Sequence, residues 1–272
     1  MKIACFQANV AYGDPATNAL AAIEKLRWAA GQGIELMAFP EAYLTGYSAG
    51  SREDAERIAI EVTHDAIAMI ADAVRETRVA AIIGFIGKES AGLYNGALFL
   101  APEKRPYVYQ KAHLPQIGCD NYVMAGNKLE LVDFQAREGL AKIGILICFD
   151  MRYPEATRTL AVEGADLIVL PTNWPEGAEN SADIICIARA AENKIFFATC
   201  DRVGSEGGFN FLGRSKIIAP SGAVLASAGD QEEVIVAELD LALAREKKTV
   251  TIPGIYEIDV MGKRRPDLYR LG

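Results

Sequence analysis

The sequence predicts an α/β protein, built as a four-layer α-β-β-α sandwich with an internal pseudo-two-fold repeat. Segments with strand and helix patterns alternate along the chain, which is typical of layered α/β folds. The segment 33–40 (GIELMAFP) matches the segment 164–171 (GADLIVLP) in its Gly, acidic, Leu, apolar and Pro positions. The segment 142–144 (KIG) likewise matches 2–4 (KIA). Two matches in the same order indicate two related halves, each contributing one sheet with helices on its outer face.

The first half reads as strand, helix, strand, helix, strand and a strand pair. Asp14 is a good N-cap residue, and Pro15 suits the first helical position. Thr63 is placed to cap the second helix. The predicted elements are a strand at 2–9, a helix from Asp14-Pro15 to about Gly31, a strand at 34–39, a helix from Thr63 to about Arg78, a strand at 79–87, an antiparallel pair at 93–102 and 106–114, and a loop at 115–128.

The second half repeats this pattern. The predicted elements are strands at 129–134 and 142–147, a helix at 154–163, a strand within 164–171, a helix at 180–192, and strands at 195–200, 214–219 and 233–239. No Pro-, Gly- or Ser-rich linker divides the chain, so one domain is predicted over residues 1–272.

Composition excludes several classes of protein. With 51% hydrophobic residues the chain can bury a large core, and its net charge of −8 gives no basic footprint for nucleic acid. No run approaches the roughly 18 apolar residues of a membrane helix, and the N-terminus does not resemble a signal peptide. Five cysteines without Cys-x-x-Cys spacing argue against a disulfide framework or a zinc ribbon. We expect a soluble, cytoplasmic protein without a metal site.

Cys148 stands where an apolar strand is predicted to turn into a helix. Polarity begins at Asp150, and Pro154 suits the first turn of the helix. Such an elbow can expose a nucleophile at the end of a sheet, and a helix N-terminus favours a thiolate. The alternative is that Cys148 simply belongs to the core, as most cysteines at the end of an apolar strand do.

Several residues are candidates to activate this thiol. Glu41 follows the strand at 34–39, and Lys111 lies at the end of another apolar strand. A carboxylate can take the thiol proton, and an ammonium can stabilise an oxyanion. His113 is an alternative base in a Cys-His dyad, whereas His64 lies at a helix start and is expected to be structural or exposed.

Three segments carry a resemblance to a known family. FPEAYLTGY, YQKAHLP and ICFDMRYPEATR, in this order, resemble the signature segments of the nitrilase superfamily of carbon–nitrogen hydrolases, and the likeness extends to PTNWP at 171–175. The resemblance implies Glu41 as general base and acid, Lys111 as stabiliser of the oxyanion, Cys148 as nucleophile and the Phe149 backbone N–H as a second oxyanion donor. It also implies the α-β-β-α sandwich, no metal or organic cofactor, and assembly into homodimers or larger homo-oligomers.

One loop departs from the family pattern. Many members carry a second glutamate after the lysine, whereas this chain has Cys119 at about that place and Asp120 beside it. Either Asp120 takes part of the supporting role, or this branch works without it.

Substrate-binding residues are expected in loops that the repeat makes equivalent. Tyr47 and the pair Asn173-Trp174 follow strand ends in these loops, and with Asp120 they form the expected substrate-binding set. Trp174 at a subunit contact is the alternative. Arg152 is a candidate for a substrate carboxylate, with an ion pair to Glu155 as the alternative.

The leading hypothesis is an amidase that releases ammonia from a small carboxamide through a cysteine thioester. The enzymatic alternatives are N-carbamoyl hydrolysis and nitrile hydrolysis. A catalytically silent binding or scaffold subunit is the non-enzymatic alternative, which the joint presence of Glu41, Lys111 and Cys148 argues against.

Overall fold

Two six-stranded sheets form the centre of the protein in the computed structural model, which describes residues 1–270. The strands are β1 (Lys2–Gln7), β2 (Leu36–Ala38), β3 (Ala80–Glu89), β4 (Gly92–Leu100), β5 (Tyr107–Gln110), β6 (Leu131–Ala136), β7 (Gly139–Ile145), β8 (Leu167–Pro171), β9 (Phe196–Cys200), β10 (Ser205–Glu206), β11 (Phe209–Asn210), β12 (Lys216–Ile218), β13 (Val224–Ser227), β14 (Glu233–Glu238), β15 (Lys248–Ile252) and β16 (Tyr256–Asp259). The α-helices are α1 (Pro15–Gly31), α2 (Arg52–Ile58), α3 (Asp65–Thr77), α4 (Pro154–Val162), α5 (Cys186–Asn193) and α6 (Ala242–Arg245).

The two sheets share one topology, which confirms the predicted repeat. The first sheet has the order β14-β1-β2-β3-β4-β5, and the second has the order β6-β7-β8-β9-β12-β13. In each sheet three central strands run parallel, and antiparallel strands flank them on both sides. Strands β1 to β5 therefore correspond to β7, β8, β9, β12 and β13.

The matched acidic residues perform the same task in both halves. The Glu35 carboxylate accepts a hydrogen bond from the Lys2 backbone N–H at 2.8 Å, and the Asp166 carboxylate accepts one from Lys142 at 2.9 Å. The register agrees as well, because Ile3 pairs with Leu36 as Ile143 pairs with Leu167. The acidic residue of the repeat thus fixes the start of the first parallel pair.

Strand alternation explains the layers. Ile3 and Cys5 of β1 belong to a core shared with the second sheet, whereas Ala4 and Phe6 pack in a core with α1 and α3. In the second sheet, Gly144 of β7 faces Leu160 of α4. Because neighbouring residues of a strand point to opposite faces, each sheet faces the other sheet on one side and helices on the other. The predicted four-layer sandwich is confirmed.

Some boundaries and elements differ from the prediction. Helix α2, strand β13 and the two hairpins β10–β11 and β15–β16 were not predicted, because they are short and bury few side chains. Helix α3 is capped by His64, whose Nδ1 accepts a hydrogen bond from the Ala66 N–H at 3.1 Å, rather than by Thr63. The imidazole is therefore structural. Strand β7 ends at Ile145, before Cys148, and a 3₁₀ turn covers Cys148–Arg152.

Candidate active site

The fold brings Glu41, Lys111 and Cys148 together at one end of the two sheets. Glu41 follows β2, Lys111 follows β5 and Cys148 follows β7. Lys111 Nζ lies 2.8 Å from Glu41 Oε1, and the charges of both residues act on the Cys148 thiol. Glu41 and Lys111 are buried and Cys148 is partly buried, so solvent screens these charges little.

Glu41 has one oxygen fixed and one free. Its Oε1 accepts hydrogen bonds from Lys111 Nζ and Asn95 Nδ2, both at 2.8 Å. Its Oε2 is buried and has no hydrogen-bond partner among the described residues. Burial raises the pKa of this carboxyl above its ordinary 4.5 and the charge of Asp120 adds to the rise, although Lys111 opposes it. The arrangement leaves Oε2 available to exchange a proton.

Asp120 supplies a second carboxylate to Lys111. Its Oδ2 lies 2.5 Å from Lys111 Nζ and accepts the Tyr47 hydroxyl at 2.8 Å, while its Oδ1 accepts Asn95 Nδ2 at 2.9 Å. Burial disfavours the charge of Lys111, but Glu41 and Asp120 outweigh it and hold the lysine pKa well above 10.5. Lys111 is therefore a permanent cation.

Cys119 does not take part in this cluster of charges. It is fully buried in a small core near α2, and burial raises the pKa of its thiol to about 12. Without a base beside it, a buried thiol of this kind is a poor nucleophile. Cys148, and not Cys119, is the cysteine on which the charges of Glu41 and Lys111 act.

The backbone at Cys148 has an uncommon conformation. Its φ of +44° lies in the left-handed region that few residues other than Gly adopt. Such strain is often found where a turn points a side chain into a functional site. The following 3₁₀ turn leaves the Phe149 N–H among the groups without an intrahelical acceptor. Phe149 therefore offers a donor beside the sulfur.

The expectation that a helix N-terminus favours the thiolate is wrong. Burial raises the pKa of Cys148 well above its ordinary 9.0 and the charge of Glu41 adds to it, while Lys111, the Thr172 hydroxyl and the Asn173 N–H oppose the rise. Helix α4 begins only at Pro154, so Cys148 lies outside the first turn, where the effect of the helix dipole is concentrated. The resting side chain is a thiol, which needs a base.

Asp150 joins the elbow to the strand that carries Lys111. This fully buried carboxylate accepts hydrogen bonds from Ile147 N at 3.0 Å, the Tyr109 hydroxyl at 2.8 Å and His113 N at 2.9 Å. Sequence reasoning did not assign Asp150 a role. The signal was an acidic residue three positions past the strand predicted at 142–147, where an unpaired charge would be costly.

His113 is held away from the role of a base toward Cys148. Its Nδ1 lies 2.7 Å from Asp150 Oδ1, and its ring stacks on Tyr153 with the ring centres 4.0 Å apart. Within residues 1–270, the His113 ring thus contacts Asp150 and Tyr153. The geometry favours Glu41 over His113 as the partner of the thiol.

The structure places the candidate substrate-binding residues in different surroundings. Tyr47 lies beneath the lysine, with Lys111 Nζ 5.7 Å from its ring centre. Asn173 is 3% exposed, and neither atom of its side-chain amide has a partner among the described residues. Trp174 packs in the large core, and its N–H donates to Asp201 Oδ1 at 2.9 Å. Arg152 is exposed. Asn173 is therefore the residue of this set whose polar atoms are left for a ligand.

Residues 2–249 match the family model for carbon-nitrogen hydrolases. The chain belongs to the carbon–nitrogen hydrolase family. A nitrilase from Pyrococcus abyssi is 35% identical over 94% of this chain and 96% of the relative. The 2-oxoglutaramate amidase of Bacillus subtilis is 30% identical over 98% of both chains. These matches confirm the family that the three sequence segments indicated.

Solved structures agree with the fold of the hydrolase. An amidase from Nesterenkonia sp. AN1, bearing the acetamide moiety of fluoroacetamide on its active-site cysteine, superposes with a TM-score of 0.80. It is 24% identical, and the match covers 98% of this chain and 95% of the other. At that identity the likeness concerns the fold.

Two further observations concern the described part of the chain. Within residues 1–270, His, Cys, Asp and Glu side chains form no group of three or more that could hold a metal ion. None of the helices described there is long and apolar enough to cross a membrane.

Gly84 of β3 gives the Glu41 loop room to approach the sheet. A Cβ at this position would lie 2.4 Å from both Pro40 O and Ala42 N. We expect Gly84→Ala to displace the loop, lower the free energy of unfolding by about 1–3 kcal/mol and reduce hydrolase activity. Urea unfolding and ammonia release measure the two effects. Gly31→Ala is the control, since no heavy atom lies within 4 Å of its added Cβ. Equal behaviour of the two variants would contradict the packing argument.

Proposed function

We propose that this carbon–nitrogen hydrolase is an amidase, which converts a small carboxamide and water into a carboxylic acid and ammonia through a thioester on Cys148. The observation that carries the proposal is the free Oε2 of Glu41, in a carboxylate whose other oxygen is held by Lys111 beside the thiol. The amidases among the relatives support the same reaction class.

Acylation needs a base, an oxyanion site and an acid. Glu41 Oε2 takes the Cys148 proton as the sulfur attacks the carbonyl carbon, and the C=O π pair moves onto oxygen. Lys111 Nζ and the Phe149 N–H hold this oxyanion. When the oxyanion collapses, the C–N bond breaks and Glu41 gives its proton to the nitrogen. Ammonia leaves and the thioester remains.

Deacylation uses the same groups in the same order. Glu41 accepts a proton from water as the water oxygen attacks the thioester carbon. The C–S bond then breaks, the sulfur recovers the proton from Glu41, and the acid leaves. A carboxyl whose pKa lies above its ordinary value suits both directions of transfer, because its carboxylate is a stronger base than a free glutamate and its acid form can still protonate the departing nitrogen.

Asn173 supports a substrate with a polar group near the reacting carbon. A buried amide with both atoms free is costly unless a ligand pairs with it. Its N–H can donate a hydrogen bond to, and its C=O can accept one from, a second carboxamide, a carboxylate with water, or a ureido group. Because a ureido group can pair with Asn173 in this way, N-carbamoyl compounds are the second candidate substrates. The nitrilase from Pyrococcus abyssi is the reason to include nitriles in any assay.

Ammonia release across a substrate panel tests the proposal. Wild type and Cys148→Ala are incubated with small carboxamides, N-carbamoyl compounds and nitriles, and free ammonia is measured. We expect release from at least one carboxamide by wild type alone. Release by Cys148→Ala, or release from N-carbamoyl compounds or nitriles only, would overturn it.

The acid limb of the pH–rate profile should report Glu41. Burial raises the pKa of this carboxyl, and the charge of Asp120 adds to the rise. We therefore expect kcat/KM to fall as pH falls through a value above 4.5. Asp120→Asn removes a negative charge beside Glu41, so the limb should move to lower pH. An acid limb at or below pH 4.5, or a shift to higher pH in Asp120→Asn, would contradict this assignment.

Assembly and location stay predictions. We expect a cytoplasmic homodimer or larger homo-oligomer, and light scattering of the purified chain measures the assembly directly.

A further inference from the structure

The geometry points to Glu206 as a positioning residue for the active site, which acts through Tyr47 and Asp120 on Lys111. Glu206 lies on the β10–β11 hairpin of the second half of the chain, whereas Tyr47 follows β2 in the first half. The inference rests on the proposed role of Lys111.

Glu206 fixes the backbone of the Tyr47 loop. Its Oε1 accepts hydrogen bonds from Tyr47 N at 2.8 Å and from Ser48 N at 2.7 Å. Its Oε2 accepts one from Arg202 Nη1 at 2.9 Å. The side chain of Arg202 is 0% exposed and that of Glu206 is 7% exposed, so water competes little for these bonds.

Tyr47 connects the loop that Glu206 holds to the carboxylate that binds Lys111. Its hydroxyl donates to Asp120 Oδ2, which also binds Lys111 Nζ. Burial raises the pKa of this hydroxyl well above 10.0, so it stays protonated and keeps donating. Tyr47 is thus held at its backbone by Glu206 and at its hydroxyl by Asp120. A displaced loop would withdraw the tyrosine from the Lys111 site.

The segment that leads into this hairpin also forms a hydrogen bond on the other side of the site. Asp201, next to Arg202, accepts the Trp174 N–H at 2.9 Å and thereby fixes the residue that follows Asn173. The Arg202 guanidinium lies 4.4 Å from the ring centre of Phe211. Residues 201–211 therefore connect the loops of both halves, and Glu206 supplies their hydrogen bonds to the Tyr47 loop.

A carboxylate is the group this position needs. Without it, two loop amides and a fully buried guanidinium lose the acceptor they share. Glutamine keeps one oxygen for the amides but presents an NH₂ group toward Arg202, which is a donor facing a donor. Glu206→Gln should therefore loosen the loop without removing any atom that meets substrate.

A matched comparison separates positioning from stability. Asp166→Asn is the control, because Asp166 also accepts a backbone N–H and binds an arginine, Arg245, but at the opposite end of the strands. We expect both variants to lower the urea midpoint. Only Glu206→Gln should lower kcat, by about 10-fold to 100-fold, and slow the alkylation of Cys148 by iodoacetamide. Equal kcat and alkylation rates in the two variants would overturn the inference.

A double-mutant cycle tests the route through Tyr47. Tyr47→Phe removes the hydroxyl contact with Asp120, so its effect on kcat should overlap that of Glu206→Gln rather than multiply with it. Fully multiplicative losses would contradict the route. If Glu206→Gln does not fold, Glu206→Asp keeps the charge for Arg202 while withdrawing the oxygen from the loop, and it should show the same loss of kcat.

Wild-type behaviour distinguishes the two proposals. If Cys148 of the wild type is not alkylated selectively, and the wild type releases no ammonia from any carboxamide, the proposed function fails. If wild type does both and Glu206→Gln matches Asp166→Asn, only the role of Glu206 fails.

Discussion

Glu41→Gln should lower kcat/KM for the carboxamide substrate by about 10²-fold to 10⁴-fold, the range of a positioned general acid–base. Glutamine has the same shape and keeps an oxygen for Lys111 Nζ and Asn95 Nδ2, so the fold should persist. What it loses is the proton-accepting oxygen Oε2, because glutamine has an NH₂ group at that position. Because the Cys148 thiol has a pKa raised by burial, it cannot supply the thiolate unaided.

His113→Ala is the matched comparison for Glu41→Gln. Since His113 contacts Asp150 and Tyr153, its loss should disturb the elbow and cost less activity than Glu41→Gln. Steady-state ammonia release by both folded variants, checked by circular dichroism, decides between the two bases. Near-normal turnover in Glu41→Gln, with activity abolished in His113→Ala, would establish the Cys-His dyad instead.

Lys111→Met should have the second large effect, on both rate and stability. It removes an oxyanion donor, a loss that typically costs about 10²-fold to 10³-fold in kcat. It also leaves the buried carboxylates of Glu41 and Asp120 facing each other without a cation. Breaking a buried ion pair in this way costs about 3–5 kcal/mol of unfolding free energy.

Lys216→Met is the control for the lysine variant. Lys216 is also buried, but it pairs with the half-exposed Asp183 rather than with Glu41 or Asp120. Urea unfolding and kcat, measured at a temperature where both variants are folded, compare them. We expect the control to keep its kcat. A Lys111→Met enzyme with near-wild-type kcat would remove the lysine from the mechanism.

Much of the fold could be predicted because the repeat is visible in the sequence. The Gly-acid-Leu pattern fixed the correspondence of β2 and β8, and the structure places Glu35 and Asp166 in equivalent contacts. The grouping of Glu41, Lys111 and Cys148 was also predictable, since each follows an apolar strand and the three segments occur in the family order. These signals are local patterns whose periods are set by the backbone.

The remaining features depend on contacts that no local pattern reveals. Glu206 lies in a hairpin of two-residue strands, and its partners Tyr47 and Ser48 are more than 150 residues away in the chain. Asn95 is a polar residue within a buried strand whose donor role appears only when Glu41 and Asp120 face it. The raised pKa of Cys148 could not be predicted either, because burial and charge depend on tertiary structure.

The most direct test of the account is the intact mass of the protein, quenched in acid shortly after mixing with a carboxamide that it hydrolyses. We expect wild type to gain the mass of the acyl group, with loss of ammonia, on the peptide that contains Cys148. Cys148→Ala should gain nothing. An acyl adduct on another residue, or turnover without any adduct under conditions where acylation outpaces hydrolysis, would contradict a thioester on Cys148.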